Sequence, residues 1–211
     1  MRTGLIFDMD GTLWDSSENV AKSWTEKIRE LGLDRPDITQ EDIMGIMGLT
    51  MDRIADILFG DLPAEKRYRL LDECCDHEND YLLRHGGVLY PELEETLKKL
   101  GEKYELFIVS NCQSGYIEAF LEYYGFGKYF RDIECYGNNK LDKGSNIALV
   151  KERNGLDRAY YVGDIQGDYD SAMKAGCGFI HAAYGFGKIR EAVPELTAFE
   201  KLPELLRAII V

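Results

Sequence analysis

Gly4-Leu5-Ile6-Phe7-Asp8-Met9-Asp10-Gly11-Thr12-Leu13 is a brief apolar run that breaks into two aspartates, a glycine and a threonine. Residues 5–7 read as a buried strand, because the run is short, bulky and closed by a turn signal. Side chains two apart in a strand share a side, so Asp8 and Asp10 converge just past its carboxyl end. Open α/β sheets place their ligands at that edge. Two converging carboxylates are costly unless a cation or a shared proton compensates them. Gly11 supplies a turn without a Cβ, which leaves backbone amides to face an anion. The plainer alternative is an acidic turn after an edge strand.

Downstream the periodicity becomes helical. Over 17–31, Val20, Trp24, Ile28 and Leu31 fall on one face, with Ser16 or Ser17 as the cap. Thr39 caps a short helix carrying Ile43 and Met47, and another helix covers 51–59. A longer one runs over 63–83, where Pro63 suits the first turn. Nothing between 16 and 84 alternates like a strand. Trp24 reads as core, and Trp14 as either core or cleft. His85-Gly86-Gly87 marks the return of the chain. Beyond it, strands over 106–110, 133–136, 159–163 and 179–183 alternate with helices over 116–124, 145–153, 168–175 and 203–210. That alternation implies crossovers and a parallel sheet covered on both faces. The expected fold is α/β: a Rossmann-like parallel sheet core flanked by helices, with an inserted all-helical cap domain. The core is assigned to 1–15 and 85–211, the cap to 16–84.

Four strand ends carry polar residues that meet on one edge. Asp8 and Asp10 are the first. Ser110 and Asn111 follow four apolar residues, where they serve equally as a helix cap or an anion site. Lys143, in Leu141-Asp142-Lys143-Gly144, stands just before a helix, so cation and helix amides can share one phosphate; Lys140 competes for the role. Asp164 follows its strand directly, with Asp168 four residues on, where it also suits a helix cap. Three carboxylates at one edge call for a hard divalent cation with oxygen ligands, for which Mg²⁺ is the default.

These segments resemble the four signatures of the haloacid-dehalogenase-like (HAD) hydrolases, in the family's order, over residues 3 to 187. DMDGT at 8–12 is similar to the first, Ser110-Asn111 to the second, Lys143 to the third, and Gly163-Asp164 through Asp168 to the fourth. The helical insert resembles a type I cap. Tyr184-Gly185-Phe186-Gly187 resembles a stretch of phosphoglycolate-phosphatase-like members. Gly144 departs from the pattern, since many relatives have proline after the lysine. The resemblance implies Asp8 as nucleophile and Asp10 as general acid/base. It implies Mg²⁺ held by Asp8, the Asp10 main-chain carbonyl and Asp164, with Asp168 in support. It also implies that Thr12, Ser110, Asn111 and Lys143 bind the transferring phosphoryl group. The expected activity is Mg²⁺-dependent hydrolysis of a small phosphate monoester, phosphoglycolate-like or a sugar phosphate. The alternatives are a β-phosphoglucomutase-type phosphomutase and a non-catalytic binding protein on the same scaffold. Arg53 is the insert's candidate cation for a phosphosugar, though a solvated helix face explains it equally. The apolar loop over 45–50 identifies no substrate.

The formal charge of −13 argues against nucleic acid and anionic membranes as partners, and leaves a small phosphorylated metabolite. No apolar run approaches the roughly 20 residues that span a bilayer. The first strand begins almost at Met1, which leaves no room for a cleavable signal and points to the cytoplasm. Five cysteines without metal-site spacing read as reduced thiols. His77, His85 and His181 are scattered and carry no motif.

Overall fold

The computed structural model describes residues 2–210. The chain opens with strand β1 (Thr3–Phe7), then passes through a two-residue strand β2 (Trp14–Asp15) into helices α1 (Ser17–Glu30), α2 (Gln40–Met44), α3 (Met51–Leu58) and α4 (Ala64–His85). It returns through β3 (Val88–Leu89), which pairs antiparallel with β2: Trp14 opposes Leu89 and Asp15 opposes Val88. The helical segment therefore leaves and rejoins the chain at a short ribbon. Two-residue strands carry no readable alternation, so this ribbon is invisible to periodicity.

The remainder alternates: α5 (Leu93–Gly101), β4 (Glu105–Ser110), α6 (Tyr116–Tyr124), β5 (Phe130–Cys135), α7 (Tyr136–Asn139), α8 (Lys143–Arg153), β6 (Arg158–Gly163), α9 (Gln166–Lys174), β7 (Gly178–Ala182), β8 (Glu195–Leu196) and α10 (Leu202–Ile209). Six strands form one parallel sheet in the order β5-β4-β1-β6-β7-β8. The strand β1 lies between β4 and β6, so strand order reverses beside it. Ligand crevices form at such switch points.

Period-two alternation sorts the sheet's side chains onto two faces. Leu5, Phe7, Leu106, Ile108, Val162 and Ile180 join one apolar cluster, with Leu97 of α5 and Leu206 of α10. Ile6, Phe107, Val109, Tyr161 and Phe179 join the other, with Ile147 and Val150 of α8 and Ala172 of α9. The first cluster continues without a break into the insert through Trp14, Trp24, Phe59 and Leu82. Trp14 is fully buried there, its ring edge-on to Tyr116, Phe120 and Tyr124. Core packing, not the cleft, claims it. No helix among the described residues is long and apolar enough to cross a membrane. All five cysteines are free.

Several boundaries differ from the sequence reading. Helix α8 starts at Lys143 rather than 145, because the Asp142 carboxylate accepts the Ser145 amide as its cap. Helix α9 starts at Gln166, which puts Asp168 inside its first turn. Pro63 stands at the cap position of α4, one residue before its first turn. Ser16 precedes α1 without capping it; its hydroxyl is used elsewhere, as described below.

Candidate active site

The ends of β1, β4 and β6 bring the sequence-selected residues to one edge. The loop after β1 is a tight internal turn: Thr12, Leu13 and Trp14 amides all reach Met9 O, while the Gly11 amide donates to Trp14 O. The expectation that Gly11 frees amides for an anion is thus corrected for Gly11 and Thr12, whose N–H groups bond within the loop. Gly11 is required for a different reason. It adopts φ +79°, and a Cβ there would lie 2.2 Å from Asp164 Oδ2. That close approach lets the β1 loop pack directly on the β6 carboxylate.

Lys143 is buried at 3 % exposure, with Nζ 3.0 Å from Asp8 Oδ1 and donating to Asp168 Oδ1 at 2.6 Å. Burial works against its ammonium, but Asp168 and Asp8 outweigh that and raise its pKa. Lys140 is exposed over the Tyr136 ring, outside this cluster. Between the two lysines the geometry is unambiguous. Asp168 Oδ2 accepts the amides of Asp164 and Ile165, at 3.0 and 3.1 Å. Both Asp168 oxygens are therefore engaged inside the protein. Asp164 Oδ2 accepts the Phe186 amide at 2.7 Å, which gives the Tyr184-Gly185-Phe186-Gly187 stretch a place in the site.

Asp10 Oδ1 accepts the Ser16 hydroxyl at 2.6 Å and the Tyr116 hydroxyl at 2.8 Å. Burial nonetheless pushes its carboxyl up to about 7 against those two bonds. Burial, then Asp168, raises Asp8 to about 6 despite Lys143. Burial, then Asp168 and Asp8, raises Asp164 to about 8. Thr12 is fully buried with Oγ1 unpartnered, and its carbonyl accepts the Tyr184 hydroxyl.

Asp8, Asp164 and Asp168 bring carboxylate oxygens within 4.8 Å of one another. One ammonium cannot neutralise three carboxylates, and the donors are all hard oxygens. The set fits a divalent cation of the Mg²⁺ or Ca²⁺ kind. With both its oxygens occupied, Asp168 fits a supporting position beside such an ion.

A small cavity of about 50 Å³ lies between this edge and the insert, lined by Asp10, Ser110 and Asn111 below and by apolar residues of the insert above. Asn111 Nδ2 donates to the Gly48 carbonyl at 2.9 Å, tying the 45–50 loop to β4. Gly48 itself has φ +81°, and a Cβ there would lie 2.4 Å from Ile165 Cδ1. The loop thus rests on the residue next to Asp164. Arg53 is exposed and lies outside the cavity wall. Tyr116 and Glu78, also at this site, carry no sequence motif, and Ser16 reads from sequence only as a helix cap; Trp24, a core residue by its periodicity, forms cavity wall as well.

The haloacid dehalogenase-like hydrolase family matches residues 5–182, and the chain belongs to that family of enzymes. It is similar to a phosphoglycolate phosphatase of Vibrio parahaemolyticus, at 28% identity over 98% of this chain and 96% of the relative. Among solved structures, it is similar to a predicted phosphatase from Clostridium acetobutylicum, at TM-score 0.79, 21% identity and coverage of 99% and 100%. A Rhodobacter sphaeroides protein solved with xylulose 1,5-bisphosphate aligns at TM-score 0.78, 19% identity and 96% of each chain.

Proposed function

We propose that this chain is a Mg²⁺-dependent phosphatase that hydrolyses a small phosphate monoester, phosphoglycolate-like or a sugar phosphate, through an aspartyl-phosphate on Asp8. The observation that carries this reading is the buried Lys143 at 3.0 Å from Asp8, beside a cavity that Asp10 lines. The Asp8 carboxylate attacks phosphorus as the ester P–O bond breaks, and Asp10 delivers a proton to the leaving oxygen. Asp10 then takes a proton from the water that attacks the acyl phosphate, which frees phosphate and restores Asp8. Lys143, with Thr12, Ser110 and Asn111, holds the phosphoryl oxygens as charge spreads over them. Asp8, the Asp10 main-chain carbonyl and Asp164 would hold Mg²⁺, and Asp168 would position Lys143 and the loop after β6. When bound, the ion supplies further positive charge to those same oxygens.

In this reading, residues 1–15 and 85–211 are the core, and 16–84 are a cap that excludes water and admits only small esters. The substrate is a soluble metabolite and the enzyme works in the cytoplasm. Arg53, the insert's candidate cation for a second phosphate, is exposed and outside the cavity lining, which favours hydrolysis over a phosphomutase. The test is phosphate release from a panel of small phosphate esters. Mg²⁺ should support turnover, EDTA should silence it, and Asp164→Ala should raise the Mg²⁺ concentration needed for half-maximal rate. The reading fails if the protein with Mg²⁺ releases phosphate from none of them.

A further inference from the structure

The cavity beneath the insert is unusual in what its polar groups can still do. Several of its side-chain donors are already engaged by protein acceptors: Trp24 Nε1 by Glu78, Tyr116 by Asp10, one N–H of Asn111 Nδ2 by Gly48 O and one of Gln113 Nε2 by Asn79 Oδ1. That leaves the Ser110 hydroxyl and the second N–H of each amide as neutral donors. A carbonyl such as Gly48 O only accepts, so the Asn111 amide is fixed with Oδ1 on the other side, buried and unpartnered. Glu78, at 4 % exposure, projects a carboxyl into the same wall as Asp10. Among the described residues lining the cavity there is no lysine, arginine or histidine. Lys143 is outside that lining and paired twice already.

A carboxylate on the leaving group would be buried in this space without a counter-charge, next to two protein carboxyls. Such burial is strongly disfavoured without a cation to pair the charge. A hydroxyl carries no charge to compensate, and the unpartnered Asn111 Oδ1 stands ready to accept its proton. We infer that the cavity selects a leaving group bearing a hydroxyl and no carboxylate, with Glu78 as the specificity residue that faces it. The inference rests on the phosphatase reading and divides its substrate class in two. With a cavity of about 50 Å³, the leaving group has few heavy atoms unless the insert moves.

The test is a matched pair that differs only at the group in question: 2-hydroxyethyl phosphate and 2-phosphoglycolate, with acetyl phosphate as a third donor. The kcat/KM of the hydroxyl ester should exceed that of phosphoglycolate by at least about tenfold, as expected when a site is built around one hydrogen-bonding group. Burial pushes the Glu78 carboxyl up to about 8, so the ratio is measured above that pH, where Glu78 is a carboxylate. There Glu78→Gln keeps an acceptor for Trp24, removes the charge and adds an amide donor, and should shrink the ratio about fivefold or more. The ratio is insensitive to partial loss of folded enzyme, which lowers both rates together. Equal or better turnover of phosphoglycolate by the wild type overturns the inference while leaving a phosphatase. An unchanged ratio in Glu78→Gln overturns the role of Glu78. Absence of phosphate release from all three compounds removes the phosphatase reading itself, and this inference with it.

Discussion

The sheet edge and the cavity beneath the insert meet at Asp10, yet they are built from opposite materials. At the edge, charge is concentrated: Lys143 bridges Asp8 and Asp168, and Asp164 is held by the Phe186 amide. Every one of these groups sits at the end of a strand or the start of a helix, so the sheet fixes its position. In the cavity, the insert contributes mainly apolar wall, with Trp24 and Ile43 buried and Glu78 the exception. The chemistry of the first region is independent of what the substrate carries beyond its phosphoryl group. In the proposed reaction, the apolar wall that the insert adds to the second meets only that remainder. A family can therefore keep one and vary the other, which is why likeness to phosphoglycolate phosphatases supports the reaction more firmly than the leaving group.

The most severe way to break this division is at Asp8. In Asp8→Asn the amide is nearly isosteric but a poor nucleophile, so turnover should fall below about one part in a thousand. Beryllium fluoride with Mg²⁺ should raise the melting temperature of the wild type and leave that of the variant unchanged, since only a carboxylate completes the phosphoryl mimic. Phosphate release persisting in verified Asp8→Asn protein would sink the aspartyl-phosphate route.

A smaller but still large effect belongs to Lys143. Lys143→Ala should cost on the order of 10²-fold or more in kcat, as removal of a charge contact in the transition state does. It also leaves Asp8 and Asp168 buried without their partner, so a fall in melting temperature should accompany it. Lys140→Ala, on an exposed residue over Tyr136, should stay within about twofold of wild type. The reverse ranking would move the phosphoryl site away from the place where the buried ion pair puts it.

The edge was legible because its residues follow strands whose apolar runs announce them. Asp8, Asp10, Ser110, Asn111 and Asp164 each end or follow such a run, and Lys143 needed only the helix start after it. Asp168 was expected near a helix cap, and its carboxylate does accept the amides of Asp164 and Ile165. What escaped was contact made by tertiary closure. Ser16 reads as a cap for α1, but Asp10 takes its hydroxyl because the turn after β1 folds the two together. Helix α5 carried a usable signal in Leu93, Leu97 and Leu100, all buried. Glu78 carried one too. It falls four residues after Cys74 and four before Leu82, on the buried stripe of α4, where an acidic side chain has no bland reason to be.

The gentlest probe concerns the insert alone. Thr39 and Asp42 form a reciprocal cap on α2: Thr39 Oγ1 accepts the Asp42 amide at 3.1 Å, and Asp42 Oδ2 accepts the Thr39 amide at 2.9 Å. That helix is only five residues long, yet it presents the buried Ile43 to the cavity. Short helices depend heavily on their ends, because few internal bonds offset the cost of ordering them. Thr39→Ala should therefore lower stability by about 1 kcal/mol, a drop of roughly 2–4 °C in melting temperature for a chain of this size. Since nothing at the sheet edge is touched, kcat should stay within about threefold of wild type, with any change falling on KM. A loss of kcat comparable to that of Lys143→Ala would mean that the insert takes part in the chemistry, and the separation of the two regions would fall.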